Sequence, residues 1–354
     1  MTGMKPTLCI INFNGERCLP ATLRAAVDLA EQFAEIVLVD NGSTDASLAV
    51  AGKDFPQVRV VARGDNGGPG TARNAGIQAA TTDRVLFIDN DVTLTPGCAE
   101  RLGQALDEDA DAVIAMPVVI YAGRRDTVQY AGAGSHFLGL MTLLSQNEPV
   151  DKLGGDPIDV GSCVTCAFLL DRKRMGETAP FDEDFFYQME DHDFGVRMRA
   201  RGFSVLAVPD AQVFHGLGTE GMSIRRNGVY APVRVFCLIR NRWIFLLKTY
   251  SLRSLIVLSP MLLLYELSQF VIVLRKGWLM EWGRAAGWVI VNFGSIMGKR
   301  REFQRARRRP DRELFTGGAI PFRTELAQSR LERWGKKALD SIASTYWKGA
   351  AQLL

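Results

Sequence analysis

The chain is short of the residues that build disulfide frameworks and soft-ligand metal centres. It has three histidines in 354 residues, and its six cysteines, at positions 9, 18, 98, 163, 166 and 237, follow no regular spacing. That argues against a stapled secreted domain, and thiols inside apolar runs behave as small hydrophobes. Cys163 and Cys166 have CxxC spacing, but no second pair and no histidines at ligand spacing accompany them, so the expectation is a buried structural pair rather than zinc. A secretory leader with a long apolar core is missing too: Lys5-Pro6 runs straight into a short apolar strand, which places the active domain in the cytoplasm. Finally, the glycine-rich stretch Asp65–Gly76 lacks both the Lys-Ser/Thr ending of a Walker loop and the third glycine of a dinucleotide fingerprint. The small net charge of +3 hides an asymmetry. Residues 1–219 hold 18 Lys+Arg against 30 Asp+Glu, a net of −12, whereas residues 220–354 hold 24 against 9, a net of +15. A basic tail on an acidic domain calls for an anionic partner, and membrane headgroups and nucleic acid both meet that description.

What is present reads as an α/β domain followed by apolar, basic helices. Leu8–Ile11, Ile36–Val39, Val58–Val61 and Val85–Ile88 are short β-branched runs, and helical-period segments such as Leu19–Phe33 alternate with them, the pattern of a mostly parallel, Rossmann-like sheet. Thr71–Ala80 and Pro96–Leu106 supply further helices. Past Met116 the pattern loosens. Residues 121–160 carry six glycines and few periodic runs, too long for a simple connector, which points to a functional or mobile segment. Strand-like Val164–Leu170, a helix over Phe194–Arg201, and short strands Ser204–Val208 and Gln212–Phe214 close the first domain at His215. The expected division is residues 1–220 and 221–354.

Acidic residues stand where such a sheet binds ligands. Asp40 and the triplet Asp89-Asn90-Asp91 directly follow strands, and the carboxyl ends of parallel strands form the binding edge of an open α/β sheet. Asp89 and Asp91 are two apart, so in extended backbone their carboxylates share a side and can share a hard cation, Mg²⁺ or Mn²⁺. Asp40 sits where a base or ribose would be read, or is a turn residue. The glycine-rich turn offers a helix terminus to phosphate, and its Arg73 either faces a nucleotide or pairs with an acidic neighbour. Glu190, Asp191 and Asp193 open a helix. Asp193 is spaced to pair with Arg197, while Asp191 is placed to serve as a general base. His215 would suit Mn²⁺ as a third ligand, and His136 and His192 read as structural.

As an ordered set these segments resemble family 2 glycosyltransferases of the GT-A fold, in particular bacterial rhamnosyltransferase-like members that extend saccharides on lipid carriers. The resemblance runs over about residues 5–220, through Ile11-Asn12-Phe13-Asn14-Gly15, Val39–Asp45, Asn66-Gly67-Gly68, Arg73–Gly76, Phe87–Asp91, Phe181-Asp182-Glu183, Glu190–Asp193 and His215. It implies an inverting, metal-dependent transfer of a sugar from a nucleotide diphosphate sugar to a lipid-linked glycan, in cell-surface polysaccharide synthesis, with rhamnose as the leaning. Asn12, Asp40, Asn66, Arg73 and Asp89 would then bind the donor, Asp40 at the base and Asp89 at the ribose or phosphate. Asp91 would hold the metal with His215 assisting, and Asp191 would deprotonate the acceptor. Two other readings stay open: a metal-dependent nucleotidyltransferase at the same metal site, and a non-enzymatic membrane or nucleic-acid adaptor using the basic tail.

The second region bears on location. Leu255–Leu274 is long enough to cross a bilayer, yet Pro260 and Glu266 interrupt it. Trp278–Met297 is a second apolar stretch whose three tryptophans suit an interface, and Lys299-Arg300-Arg301 and Arg305–Arg309 follow it. The expected partner is a membrane surface at the cytoplasmic face, not nucleic acid.

Overall fold

A computed structural model describes residues 5–176, 180–216, 231–321 and 330–354. The expected boundary at 220/221 lies outside the described residues. Two compact units result: residues 1–133, 143–198 and 203–227 form the first, and residues 134–142, 199–202 and 228–354 the second.

The first unit is built on a ten-stranded sheet. Strands β1 (Thr7–Asn12), β2 (Glu35–Asp40), β3 (Arg59–Ala62) and β4 (Arg84–Asp89) alternate with α1 (Leu19–Asp28), α2 (Ser47–Asp54) and α3 (Pro69–Ala79). They lie parallel in the order β3-β2-β1-β4. Then follow β5 (Val92–Leu94), α4 (Cys98–Glu108), β6 (Ala112–Tyr121) and β7 (Arg124–Tyr130), after which the small separate hairpin of β8 (Ala133–His136) with β9 (Leu140–Leu143) falls almost wholly in the second unit. The chain continues through β10 (Ile158–Asp159), β11 (Ala167–Asp171), α5 (Arg172–Met175), α6 (Glu190–Ala200) and β12 (Ser204–His215). Strand β11 enters the sheet antiparallel between β4 and β6, and β12 pairs parallel with β6.

Period-two alternation divides the central strands between two cores. Leu8, Ile10, Leu38, Leu86 and Ile88 pack with Leu19, Leu23, Leu102 and Leu106 from α1 and α4. Cys9, Val37, Val39, Val85 and Phe87 pack with Ala72, Phe194 and Met198 from α3 and α6. Because both faces are covered, the strands read as continuous apolar runs, and only their ends are left for polar chemistry.

Three expectations change here. The loosening after Met116 is a ten-residue buried strand, β6, and residues 121–160 fold into β7, the β8–β9 hairpin and β10 rather than one open segment. The two short strands before His215 are one strand with a register irregularity between Val208 and Gln212. The helix expected from Phe194 starts at Glu190.

The second unit holds α7 (Pro232–Thr249), α8 (Leu252–Lys276), α9 (Leu279–Val291), α10 (Phe293–Ala306), α11 (Asp311–Leu314) and α12 (Arg330–Ala350). Tyr250 stacks on Phe315 with ring centroids 4.2 Å apart, and Phe137 stacks on Trp347 at 5.0 Å. The Ser251 hydroxyl caps α8 by accepting from the Ser254 amide at 3.0 Å, and Gly277 ends the helix in the left-handed conformation. The apolar stretch at Trp278–Met297 is divided between two helices, α9 and α10. Among the described residues α8 is the one helix long and apolar enough to cross a bilayer.

Candidate active site

Parallel register sets the site. Asn12 lies opposite Asp40, and Ile11 lies opposite Asp89, so the ends of β1, β2 and β4 put three polar side chains along one edge. Asn12 is fully enclosed. Its amide nitrogen donates to Asp40 Oδ1 at 2.8 Å and to Ser47 Oγ at 3.0 Å, and its oxygen accepts from Asn90 Nδ2 at 2.8 Å. Asp40 is buried as well, accepting from the Ser43 amide at 2.9 Å and the Ser43 hydroxyl at 2.5 Å. Asn66 accepts from Asn41 Nδ2 at 2.8 Å and from the Gly68 amide at 3.0 Å. These three residues, expected at the donor, brace the turns of the edge in this structure, fixing the β1, β2 and β4 termini to one another.

The second Asp cluster is arranged differently. Asp89 ends β4, and Asn90 and Asp91 form a tight turn into β5, not an extended pair as spacing predicted. Strand β5 runs antiparallel to the end of β12, with Val92 opposite His215, and the Gly216 amide donates to the Asp91 carbonyl at 2.8 Å. The turn therefore delivers Asp91 to His215, whose Nε2 is 3.3 Å from Asp91 Oδ1. Ligand atoms of Asp89, Asp91 and His215 all lie within 4.8 Å of one another. Two carboxylate oxygens and an imidazole nitrogen, with Asp91 and His215 buried, are a donor set for a divalent cation. The opposite imidazole nitrogen, Nδ1, is 2.9 Å from Gln129 Oε1, an acceptor that fixes the ring so that Nε2 faces the carboxylates. Burial works to lower the imidazole pKa, but the neighbouring Cys166 sulfur and the Asp91 carboxylate outweigh it and push it up to about 10. Cys166 itself accepts from the Tyr130 hydroxyl at 2.7 Å.

Arg73 joins this cluster to the third acidic segment. It is 2% exposed, donates to Asp89 Oδ1 at 2.7 Å and to the Thr165 carbonyl at 2.9 Å, and its other terminal nitrogen is 3.6 Å from Glu190 Oε1. The pairing with acidic neighbours, one of the two readings of Arg73, is thus present. Helix α6 begins at Glu190 after a segment with left-handed backbone at Phe186, Gln188 and Met189. That segment leans on the glycine-rich turn: a Cβ at Gly68, where φ is +88°, would stand 1.8 Å from the Phe186 carbonyl oxygen. Upstream of it, Asn74 on α3 exchanges hydrogen bonds with the Phe181 backbone at 2.8 and 2.9 Å. At Gly195 on α6 a Cβ would meet the Cys163 amide at 2.3 Å, so the Gly161–Cys166 loop closes directly on the helix.

Glu190 and Asp191 lie in the field of Arg73 and of each other. Burial raises both carboxyl pKa values, the Asp191 charge raises Glu190 further, and Arg73 and the His192 amide pull in the opposite direction at Asp191. A carboxylate with a raised pKa and a partly exposed edge is what a general base near neutral pH requires. Asp193 pairs with Arg197 at 2.8 Å, as expected. His192 and His136 are structural: burial pushes their pKa values down to about 3 and about 4. Cys163 and Cys166 are buried free thiols.

The edge thus gathers Asp89, Asp91, His215, Arg73, Glu190 and Asp191, while Asn12, Asp40 and Asn66 form its frame. Gln129 and Tyr130 carried no signal in the sequence, since both lie in the segment that read as irregular.

A Rossmann-like sheet with an acidic cation-type cluster at its carboxyl edge and a carboxylate pair opening α6 has the arrangement of a GT-A fold. In comparisons with known proteins, residues 7–172 match the model of glycosyl transferase family 2, and the chain is similar to rhamnosyltransferases. An N-acetylglucosaminyl-diphospho-decaprenol L-rhamnosyltransferase of Mycobacterium tuberculosis is 28% identical over 241 residues, covering 61% of this chain and 76% of that protein. A dTDP-rhamnosyl transferase of Shigella flexneri is 24% identical over 232 residues, covering 63% and 74%. Among solved structures, GalNAc-T7 with UDP, GalNAc and Mn²⁺ superposes with a TM-score of 0.58 at 17% identity, a likeness of fold. The match covers 71% of this chain and about half, 49%, of that one.

Proposed function

We propose that the protein transfers a sugar, with inversion, from a nucleoside diphosphate sugar to a hydroxyl of a lipid-linked glycan at the cytoplasmic face of a membrane. The observation that carries this is the continuity of one charged network: Asp89 belongs to the Asp91–His215 cluster and also holds Arg73, which reaches Glu190 beside Asp191. Residues 1–220 are the catalytic domain in this reading and residues 221–354 the membrane-associated region. The rhamnosyl donors and decaprenol-linked acceptor named for the relatives support a deoxyhexose donor, with rhamnose first, and a polyprenyl-diphosphate acceptor.

Asp89, Asp91 and His215 fit Mg²⁺ or Mn²⁺, the imidazole favouring Mn²⁺. When bound there, such a cation offsets the negative charge that develops on the departing diphosphate. The protein's own residues do the rest. Asp191 takes the proton of the acceptor hydroxyl, whose oxygen attacks the anomeric carbon as the bond to the diphosphate breaks. Arg73 keeps the Asp89 carboxylate in place, and the frame of Asn12, Asp40 and Asn66 keeps the two turns at fixed separation, so that donor and base meet in one geometry.

The test is a panel of nucleotide sugars assayed for metal-dependent turnover and for protection against melting, with wild type and Asp191→Asn side by side. The expected result is one or two protecting donors, turnover only with the divalent cation, and a variant that still binds donor but does not transfer. Full turnover in Asp191→Asn removes its assignment as base, and pyrophosphate release from a triphosphate would favour nucleotidyl transfer.

A further inference from the structure

We infer that helix α8 is a docking face that lies in the plane of an anionic lipid surface instead of crossing it. This deepens the membrane reading given above and rests on it.

By length and composition α8 resembles a span, but its two sides have different surroundings. Leu252, Ile256, Leu263, Leu267, Val271 and Leu274 are each more than half exposed and recur at spacings of three, four and seven, which puts them on one stripe of the helix. Every exposed residue from Ile256 to Leu274 is apolar. On the opposite side Ser254, Leu258, Met261, Tyr265 and Val273 are buried within the second unit. A helix that crossed a bilayer would have to leave that packing.

Polar ties make departure harder. Midway along α8, Glu266 is engaged by Arg242 and by the Trp243 indole nitrogen at 3.1 Å, both from α7. Helix α7 also buries Arg234, Arg240 and Lys248 and is no candidate for hydrocarbon. At the start of α8, Asp311 holds the Ser251 amide at 2.9 Å and the Ser254 hydroxyl, and is itself held by Arg307. A helix fixed at its beginning and its middle to a cationic protein unit can offer a bilayer one face only.

That face is finished for lipid. Pro260 lies on it and cannot donate to the Ile256 carbonyl, but the Ser259 hydroxyl does so at 2.8 Å, so the break in the helix ladder leaves no unsatisfied carbonyl at that point. Charge selects the partner. Arg253 stands at one end of the stripe and Arg275 with Lys276 at the other, all exposed, within a region of net charge +15. An apolar stripe ended by cations matches a surface of acyl chains under anionic headgroups.

The experiment uses the full chain and preformed vesicles of phosphatidylcholine, with and without phosphatidylglycerol. Co-sedimentation should be strong only with phosphatidylglycerol present. Leu263→Asp combined with Leu267→Asp, at exposed positions that leave the fold intact, should weaken it roughly tenfold or more. Single cysteines at Arg253→Cys and Lys276→Cys, the charged ends of the stripe, are then labelled on bound protein with a membrane-impermeant maleimide, against the wild-type background. Labelling at both ends supports the in-plane placement; protection of one end overturns it in favour of a span. Binding by the double variant equal to wild type also overturns it, as does a stripe that proves to join two copies, with a monomer produced by the substitutions and no vesicle binding. If the wild type ignores anionic vesicles altogether, the membrane part of the proposed function falls with it, while donor turnover stays untouched.

Discussion

The carboxyl edge of the sheet and the outer face of α8 break the same rule in opposite directions. At the edge, Arg73, Glu190, Asp91 and His215 are charged or titratable and buried; on α8 a row of leucines, isoleucine and valine is exposed. Burying charge is costly unless it is paired, and exposing a contiguous apolar face is costly unless something covers it. The edge meets its cost inside the molecule, since Arg73 sits among carboxylates and Gln129 holds His215. Among the described residues the α8 face has no such internal answer, and its buried side shows that the helix is already packed. The lesson is that a departure from ordinary burial means chemistry where it is internally compensated and a partner where it is not.

The sharpest way to break this contrast is at Asp191. Asp191→Asn should lower the transfer rate by about 10²–10⁴-fold while donor binding, followed by protection against melting, is unchanged. An equal loss of donor affinity would mean that the residue frames the site instead of reacting. Next, Arg73→Ala leaves Asp89 and Glu190 facing each other with no guanidinium between them. A loss of about 3–5 kcal/mol in denaturant unfolding is expected, and a loss below about 1 kcal/mol would show that the edge does not depend on internal pairing.

A third prediction concerns Gln129. Gln129→Leu removes the acceptor that orients His215 and should weaken Mn²⁺ binding, read by titration of the protein without donor, by roughly 10- to 100-fold. Gln129→Glu should recover most of it, which a merely packing role would not give. The smallest effect is in pH. Burial raises the carboxyl pKa values of Glu190 and Asp191 above those of the unfolded chain. The folded protein therefore holds protons that the unfolded chain has released, and this contribution to stability is complete in acid and lost as pH rises through the folded values. Melting temperature should fall over that window, and Glu190→Gln should flatten the slope. Transfer should rise over the same window as Asp191 loses its proton, so activity and stability move in opposite directions with pH.

Much of the edge was legible before the fold was known, for a local reason. Asp40 and Asp89 each end a β-branched run, and a strand's end is fixed by its own residues and the turn that follows. The roles of Asn12, Asn66 and Arg73 were less legible, because a side chain's partners belong to other strands. Asn12 meets Asp40 and Asn90 only when β1 lies between β2 and β4. Gln129 was invisible, since no periodic pattern marks a short strand that begins with exposed arginines.

The order of strands and helices, the acidic turns at the strand ends and the charge division between the two halves were determined by the sequence itself, because propensity, hydrophobic period and charge count act over a few neighbouring residues. Only the tertiary structure decided that Arg73 is an ion-pair hub, that β5 and β12 bring Asp91 to His215, and that one side of α8 is covered and the other bare. Those outcomes depend on which distant surfaces meet, and hydropathy along a helix that is apolar all round carries no information about which face does the meeting.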